Sequence, residues 1–410
     1  MSKIWIFNFT DPPPQISSDH SRRHEFLAHH LSSSGHDIHW ILDSFSHSSK
    51  THLKPSYEES NLDLGVTMIR SMGYKKNISI RRLFHNHFLS MSSLYIFIKK
   101  IINEGKPNKV LVSFPPMEVS FALVIICKLF GISIIVDYRD LHPDIFPIIA
   151  TNKILKLIIT LFIKPYSLMV GWSLRNATRV CTTSPDVSHY LFKKYSLKKL
   201  PLSFYHCFKA IPKKSSDLKL GPIAYMIMNY KKTFSNPRIF SYCGTLSKRL
   251  DLLNFIQVFK NIPDKSNILF ICGLGDMLDT LKQESKGQRN IIIKEHLSRE
   301  EVFQIYDISD YGILPYPEEL DFQLAPPTKF AEILHHNLSI ISSKSTFVHR
   351  HFSEEINAKF YKFGNYASLY SIIDGIIHQT NFVINDVNYN LYKQHFDISK
   401  LEKMVKEIQK

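Results

Sequence analysis

A cation and a carboxylate stand one helical turn apart in APPTKFAEIL, residues 325–334, as Lys329 and Glu332. The prolines before them fix the approach of the chain, so a helix is predicted to begin near Thr328 with its first backbone N–H groups unpaired. Such a helix end attracts anions, and a glutamate accepts hydrogen bonds from a ribose diol. The stretch indicates a nucleotide-phosphate site, although a single Lys-x-x-Glu is more often an ordinary solvated helix start.

Two glycine-containing stretches in the same half of the chain have the residue types of an anion site. CGTLSKR, residues 243–249, combines Gly244 with Lys248 and Arg249, and CGLGD, residues 272–276, contains Gly273 and Gly275. Glycines let a backbone approach a ligand closely, and the two cations have the charge to neutralise a diphosphate. The second stretch lacks a complete Gly-x-Gly-x-x-Gly run, so by itself it also fits a plain strand-to-helix turn.

The first half of the chain holds a second group of charged residues. VDYRDLHPD, residues 136–144, ends an apolar segment with Arg139, Asp140 and His142, while Arg22 and Arg23 stand at the start of a predicted helix. Asp140 has the chemistry to orient a sugar, and the two N-terminal arginines have the charge to contact a phosphate. The alternatives are structural: Arg139 pairing with a neighbouring aspartate, and a solvated first helical turn.

These residues need elements that bring them to one edge of a sheet. Apolar strand-like runs alternate with helical ones in both halves, as in ISIIVDY, RIFSYCGTL and NILFICGLGD. Ser298, with Glu301 three residues later, forms a capping box that marks a further helix start. The alternation predicts parallel, doubly wound sheets, in which ligands bind beyond the carboxyl ends of the strands.

Length and composition predict a folded chain of two domains. The 410 residues exceed what one core accommodates, about 250–300 residues, and the 44% hydrophobic and 21% charged content is globular. We expect a first domain over residues 1–204, a second over 205–385, and a final helix over 386–410 that packs back towards the first.

The net charge and the cysteine pattern limit the possible binding partners and the cellular compartment. A formal charge of +15 favours anionic partners, and five dispersed cysteines without a Cys-x-x-Cys pair favour neither a zinc site nor a disulfide framework. The N-terminal segment lacks a signal-peptide pattern, and the apolar runs are shorter than the roughly 20 residues of a spanning helix. We expect a cytoplasmic protein.

Taken in order, YCGTLSKRLDLL, FICGLGD, IIIKEHLSREEVFQIYDISDYGILPY and PPTKFAEIL resemble the donor-binding half of GT-B glycosyltransferases, especially family 4. SRRHEFLAHHLSSSGHDIHWI and VDYRDLHPD are similar to segments of that family's first half, with His142 at a position that is usually aromatic. The resemblance covers nearly the whole chain apart from about residues 45–105 and 205–237. It implies an α/β fold of two Rossmann-like doubly wound domains facing across a cleft, an acceptor-side domain followed by a nucleotide-sugar domain.

The resemblance implies a retaining transfer of a hexose-type sugar from a nucleoside-diphosphate donor to an acceptor hydroxyl, with no obligatory metal or other cofactor. It places Lys248 or Arg249 on the diphosphate and Glu332 on the ribose, with Gly244, Gly273, Gly275 and Lys329 nearby. Similar sequences act in bacterial capsule, O-antigen or exopolysaccharide assembly, so the implied acceptor is a saccharide or a lipid-linked saccharide. Its side of the site would contain Asp140 with Arg22, Arg23, Arg139 and His142.

Two departures from the family pattern keep other functions open. The loop DPPPQISSDHSRR has no glycine, so Ser17, Ser18 and Asp19 are the candidates to replace the usual pair, and Leu324 stands where many members have a sugar-binding glutamate. One alternative is a nucleotide-sugar 2-epimerase on the same fold. The other is a non-catalytic basic binding or assembly protein. No nucleic-acid-binding motif is present, so no nucleic-acid partner is expected.

The stretch between Tyr74 and Lys109 combines apolar and basic residues. Its basic residues include Lys75, Lys76, Arg81, Arg82, Lys99 and Lys100, and its acid is Glu104. Such a pattern is typical of a helix lying on an anionic membrane, and we prefer that interpretation to core helices with basic outer faces. An anionic membrane surface, the inner leaflet, is therefore a further expected partner.

Overall fold

The computed structural model describes residues 1–9, 11, 22–46, 50–52, 64–75, 79–148, 150, 152–207, 221–234, 237–379 and 386–410. The chain divides into two compact units. The first comprises Met1–Lys209 and Ile398–Lys410, and the second comprises Ala210–Asp397.

The first unit is built on a parallel sheet of seven strands in the order β3-β2-β1-β4-β5-β6-β7. Its strands are β1 Lys3–Phe7, β2 Asp37–Asp43, β3 Gly65–Ile69, β4 Lys109–Phe114, β5 Ser133–Tyr138, β6 Arg179–Thr182 and β7 Leu202–Ser203. Its helices before the second unit are α1 Arg23–Ser33, α2 Ile80–Glu104, α3 Met117–Phe130, α4 Ile145–Ile148, α5 Lys153–Phe162, α6 Lys164–Asn176 and α7 Pro185–Lys194. The central strands are mostly apolar, as expected where helices cover both faces of a sheet, and Ile4–Phe7 are completely buried.

The second unit is built on a parallel sheet of six strands in the order β10-β9-β8-β11-β12-β13. Its strands are β8 Ile239–Cys243, β9 Ile268–Cys272, β10 Ile291–Lys294, β11 Tyr311–Leu314, β12 Ser339–Ser343 and β13 Ala358–Tyr361. Its helices are α8 Pro222–Lys232, α9 Leu252–Asn261, α10 Leu278–Glu284, α11 Arg299–Ile308, α12 Leu320–Leu324, α13 Thr328–His335, α14 Phe347–Phe352, α15 Tyr366–Ile377 and α16 Val387–His395. The capping box predicted for α11 is confirmed, since the Ser298 hydroxyl accepts from the Glu301 amide at 3.2 Å.

Both sheets have the strand order of a doubly wound fold, which confirms the prediction of two Rossmann-like units. The order reverses between β1 and β4 in the first unit and between β8 and β11 in the second. At such a reversal the helices after neighbouring strands lie on opposite faces, which leaves a crevice beyond the carboxyl ends of the strands. Each unit therefore has one natural ligand edge.

The C-terminal segment differs from the expected single helix over residues 386–410. After α16, the amides of Phe396 and Asp397 both donate to the Tyr392 carbonyl and close that helix. A short 3₁₀ helix, Ile398–Leu401, then leads into α17, Glu402–Gln409. Helix α17 belongs to the first unit, where its apolar face joins the core beside Leu27 and Leu31 of α1.

Among the described residues, no single helix combines the length and apolarity needed to cross a membrane. Helices α5 and α6 reach that length and composition only as a pair that is bent by 46°.

Candidate functional site

The loops that follow β8 and β9 interlock at the ligand edge of the second unit. The Gly244 amide donates to the Cys272 carbonyl at 2.9 Å, and the Leu246 amide donates to the Leu274 carbonyl at 3.0 Å. In return, the Leu246 carbonyl accepts from the Met277 amide at 3.1 Å. The two predicted glycine stretches are thus one structure, in which each loop fixes the backbone of the other.

The glycines of the second loop are required by this packing. A Cβ atom on Gly273 would lie 1.7 Å from the Gly244 carbonyl oxygen, and one on Gly275 would lie 2.0 Å from the Leu246 carbonyl oxygen. Gly273 also has a φ of +152°, which L-residues with a side chain rarely adopt. The sequence suggested that these glycines admit a ligand, whereas the structure shows that they admit the neighbouring loop.

The two cations of the first loop have different environments. Lys248 is exposed; its backbone amide donates to the Asp276 carboxylate at 3.2 Å, and within the described part of the chain its ammonium group makes no hydrogen bond. Arg249 instead pairs with two carboxylates: its Nε donates to Glu319 at 2.8 Å, and its Nη2 to Asp321 at 2.8 Å. The Phe322 ring lies 5.0 Å from the guanidinium. Lys248 is therefore an accessible cation of this edge, whereas Arg249 is already neutralised.

Lys329 and Glu332 lie in the first two turns of α13, as predicted, but bind each other. The ammonium is 2.7 Å from Glu332 Oε2, and the two side chains are 26% and 17% exposed. Burial raises the pKa of the Cys243 thiol at the end of β8, and the charges of Lys329 and Glu332 are near enough to contribute to that pKa. This pair therefore lies beside the end of β8, close to the interlocked loops.

The start of α13 keeps its anion-binding character. Pro327 occupies the N-cap position and gives no side-chain hydrogen bond, and the first turn contains no acidic residue. Backbone N–H groups at an uncapped helix end carry partial positive charge. An anion near this end would meet the Lys329 ammonium as well, at the cost of its bond to Glu332.

The corresponding edge of the first unit contains a buried ionic network. Arg139 Nη1 donates to both carboxylate oxygens of Asp11 at 3.0 Å, and the Asn8 amide donates to Asp11 Oδ2 at 2.8 Å. Burial would raise the pKa of Asp11, but the Arg139 charge and the His24 hydrogen bond hold it well below its ordinary value. Arg139 thus pairs internally, with Asp11 rather than with any of the aspartates that follow it.

Arg23 belongs to the same network, which corrects its expected position. Its guanidinium is 1% exposed, lies 2.9 Å from Asp137, and also donates to the Phe204 carbonyl. Burial beside Arg139 and Arg23 lowers the pKa of His206 to about 3. In place of the phosphate contact suggested by the sequence, Arg23 joins α1, β5 and the segment after β7.

The remaining predicted residues of this half separate into three groups. Arg22 is exposed and precedes α1, where its backbone amide donates to Glu25 at 3.2 Å. Asp19 lies outside the described residues, as do Ser17 and Ser18. Asp140 and His142 both line a cavity of about 430 Å³.

This cavity lies beyond the carboxyl ends of β1, β4 and β5, at the strand reversal of the first unit. Phe9, Pro115 and Asp140 follow those three strands, and helices α2, α3 and α6 contribute the other walls. Its polar lining comes from Ser79, Arg82, His85, Asn86, Glu118, Asp140 and His142, and its apolar lining includes Leu83, Phe146, Phe162 and Ile163. A cavity lined by both polar and apolar side chains suits an amphiphilic or saccharide ligand.

Glu118 is the functional candidate that the sequence reading missed. It is 4% exposed, lines the cavity, and its Oε2 has no hydrogen-bond partner among the described residues. Burial raises its pKa. The signal was its position: an acid in the first turn of α3, directly after the strand β4 and two prolines. A hydroxyl group entering the cavity would satisfy this oxygen.

Within the described residues, no group of three or more His, Cys, Asp or Glu side chains is arranged to hold a metal ion.

The sequence matches no protein-family model and no curated protein at a significant level. The structure, in contrast, matches solved structures over nearly the whole chain. Sucrose-phosphate synthase from Thermosynechococcus elongatus is 12% identical with a TM-score of 0.68, and the match covers 100% of this chain and 98% of that one. HepE of Anabaena, solved in complex with UDP, is 10% identical with a TM-score of 0.66 and 99% coverage of both chains.

A third structure is the catalytic domain of starch synthase IV from Arabidopsis thaliana, bound to ADP and acarbose. It is 10% identical with a TM-score of 0.65, and the match covers 100% of this chain and 98% of that one. These neighbours are GT-B proteins, so the chain has the GT-B fold that the resemblance implied.

Proposed function

We propose that this protein is a glycosyltransferase that moves a sugar from a nucleoside-diphosphate donor to an acceptor hydroxyl. The observation that carries the proposal is the ligand edge of the second unit. There the interlocked loops after β8 and β9 present Lys248, and the uncapped end of α13 presents Lys329 beside the end of β8. Structures of the same fold hold UDP or ADP, which supports a nucleotide at this edge.

The chemistry follows from where charge develops. As the bond between the sugar and the diphosphate breaks, negative charge accumulates on the leaving phosphate. Preorganised cations and backbone N–H groups stabilise this transition state more than they stabilise the ground state. In this proposal Lys248 and the first turn of α13 supply such groups, and Glu332 accepts hydrogen bonds from the ribose. Loss of Lys248 is expected to reduce turnover roughly 10²- to 10³-fold.

Arg249 enters this scheme through an exchange of partners. Glu319 and Asp321 both pair with it, and the three side chains together carry one net negative charge beside the site. A diphosphate would be repelled unless Arg249 turns from the carboxylates towards it. Glu319→Gln is therefore expected to tighten nucleotide binding at low salt, and Arg249→Met to weaken it.

The acceptor belongs in the 430 Å³ cavity of the first unit. Asp140 and the free oxygen of Glu118 are carboxylate acceptors for saccharide hydroxyl groups, and either one can position the reacting hydroxyl. We further infer retention at the anomeric carbon and a saccharide or lipid-linked saccharide acceptor of surface-polysaccharide synthesis. The family resemblance and the partly apolar wall of the cavity support these finer assignments.

A ligand screen tests the donor site. UDP, GDP, ADP and CMP are each added in excess while thermal unfolding is followed, because a ligand at a hundred times its dissociation constant stabilises by about 2.7 kcal/mol. At least one nucleotide is expected to raise the unfolding temperature, and Glu332→Ala to remove that increase. Glu284→Ala on α10, which breaks a comparable lysine pair of the same unit, is the matched control.

An activity assay then distinguishes glycosyl transfer from epimerisation of the donor sugar. The donor sugar that fits the stabilising nucleotide is incubated with and without saccharide acceptors, and products are identified by NMR. Transfer with retained anomeric configuration supports the proposal, whereas an epimerised donor formed without acceptor would show a 2-epimerase. No nucleotide-dependent stabilisation, or one that survives Glu332→Ala, would contradict the donor site as assigned.

A further inference from the structure

Helix α5 has an apolar face that no described part of its own unit covers. None of its ten residues is buried. Six large apolar side chains are at least 40% exposed: Ile154 74%, Leu155 40%, Leu157 62%, Ile158 44%, Leu161 55% and Phe162 75%. At 100° per residue they occupy one arc of about 160°. A surface helix of a globular protein normally turns such a face to the core, so this face is expected to have a partner.

Helix α2 carries a second exposed apolar stripe. Its members recur at helical spacing, one above the other on one side of the helix: Ile80 75%, Phe84 60%, Phe88 41%, Met91 68%, Tyr95 65%, Ile98 41% and Ile102 76% exposed. The stripe is about 33 Å long at 1.5 Å per residue. The opposite side of α2 packs on the first unit through Leu89, Ser93 and Phe97. The stripe is therefore additional to the face that holds the helix in place.

Helix α5 also reaches the cavity. Phe162, which is 75% exposed at the end of α5, lines the 430 Å³ space together with Ile163 and with Leu83 of α2. The exposed face of α5 is thus continuous with the cavity lining at Phe162. The stripe of α2 lies on the side of that helix opposite to its cavity-lining residues Arg82, Asn86 and Leu89, so it is not part of this surface. An amphiphile can have its apolar part on the surface and its polar part inside.

The charge around these helices is of one sign. Between Asp144 and Asp186 the sequence contains no acid, whereas Lys153 borders the apolar face of α5 and Lys164 follows the end of that helix. Arg81 and Lys99 are exposed on α2, whose acid is Glu104. An apolar face with a basic border matches an anionic bilayer surface, where the side chains enter the acyl region and the lysines meet headgroups.

We propose that the exposed apolar face of α5 docks the first unit on an anionic lipid bilayer. Helix α5 is about 15 Å long, half the thickness of a bilayer core, so it lies in the interface plane instead of crossing it. Helix α6 cannot extend it, because Val170, Gly171, Ser173 and Leu174 are buried in the unit. A second copy of the chain is a poorer occupant, since its own lysines would face these ones.

Docking of this kind places the mouth of the cavity at the membrane surface. Together with the proposed function, docking assigns an acceptor whose lipid part stays in the bilayer while its saccharide or phosphate head enters the cavity. This assignment of the acceptor rests on the proposed function. The docking surface itself needs no glycosyl transfer.

Vesicle sedimentation with the full chain tests the proposal. Native protein is expected to bind vesicles containing phosphatidylglycerol at least tenfold more strongly than vesicles of phosphatidylcholine alone. Leu157→Asn with Leu161→Asn should lower that binding about tenfold or more, because two inserted leucines are removed. Lys153→Gln with Lys164→Gln should reduce the preference for the anionic vesicles by about fivefold per lysine. Tyr225→Asn with Met226→Asn on α8 is the matched control and should bind as the native chain does.

Three further readouts make the outcome decisive. Urea unfolding must show that the leucine variant is as stable as the native chain; if it is not, the lysine variant decides. Sedimentation velocity without lipid tests the second-copy alternative: a native dimer that the leucine variant converts to a monomer would overturn the proposal. Equal vesicle binding by native and variant chains would overturn it too. Nucleotide-dependent thermal stabilisation should be the same in all these variants, so failure of docking remains distinguishable from failure of the donor site.

Discussion

Gly275→Ala is expected to destabilise the second unit by pushing its two ligand loops apart. The new Cβ atom would lie 2.0 Å from the Leu246 carbonyl oxygen, so the loops must separate by about 1.4 Å to reach an ordinary contact of 3.4 Å. The hydrogen bonds between Leu246 and Leu274, 3.0 Å, and between Met277 and Leu246, 3.1 Å, cannot survive that displacement. Two lost hydrogen bonds and the overpacking together cost about 2–6 kcal/mol.

Urea unfolding measures this effect with a built-in reference. The three tryptophans, Trp5, Trp40 and Trp172, all belong to the first unit, so their fluorescence follows that unit while circular dichroism follows both. Gly275→Ala should move the circular-dichroism transition to lower urea and leave the fluorescence transition nearer its native position. Nucleotide binding should weaken as well, because the displaced loop carries Lys248 and Arg249.

Gly375→Ala is the matched control. A Cβ atom there meets nothing within 4 Å, and the residue lies inside α15, where alanine is a better helix former. The same chemical change should therefore stabilise by about 0.5–1 kcal/mol. If the Gly275→Ala variant unfolds at the same urea concentration as the native protein, the interlocked arrangement of the two loops is incorrect.

Three further substitutions test other parts of the structure. Asp11→Asn leaves Arg139 without its carboxylate and should lower the free energy of unfolding by about 3–5 kcal/mol, measured by fluorescence-monitored urea unfolding. Because the pKa of Asp11 is depressed in the folded state, this difference in stability between the native protein and the variant should be present above about pH 4 and should shrink as the pH falls below 4. An unchanged urea midpoint would contradict that pairing. Burial raises the pKa of Asp43 from 3.8 to about 6, so ionisation of this carboxyl group opposes folding. The stability of the native protein should therefore decrease by at most about 3 kcal/mol as the pH rises from about 4 to 6. Asp43→Asn should make that decrease smaller. A variant with the native pH profile would refute this origin. Ser298→Ala removes the capping box of α11 and should cost about 1 kcal/mol, seen as a lower thermal midpoint, whereas an unaltered midpoint would show that the box contributes nothing.

The alternation of apolar runs was sufficient to predict two doubly wound sheets, because parallel strands buried on both faces have a recognisable continuous apolar pattern. The same reasoning predicted where the strands end, because glycine or proline directly follows the apolar runs of β8, β9 and β11. The carboxyl ends of these strands define the edge of the sheet at which a ligand is expected. Local signals also located the start of α11, where the capping box connects residues only three positions apart.

Side-chain partners were beyond the reach of such local patterns. Arg139 binds Asp11 across 128 positions, and Arg23 binds Asp137 across 114, so the sequence alone favoured nearer or solvent partners. Glu118 was overlooked for the same reason: its free oxygen is meaningful only once α2, α3 and α6 enclose a cavity around it.

The sequence by itself determined the two sheets, their ligand edges and the residue types available there, because periodicity and strand-end chemistry are properties of short segments. Only the tertiary structure decided which arginines are neutralised inside, that Gly273 and Gly275 serve loop packing, and that α5 remains uncovered. Each of these depends on which distant segment occupies the adjacent space, and burial and pairing energies are set by that neighbour.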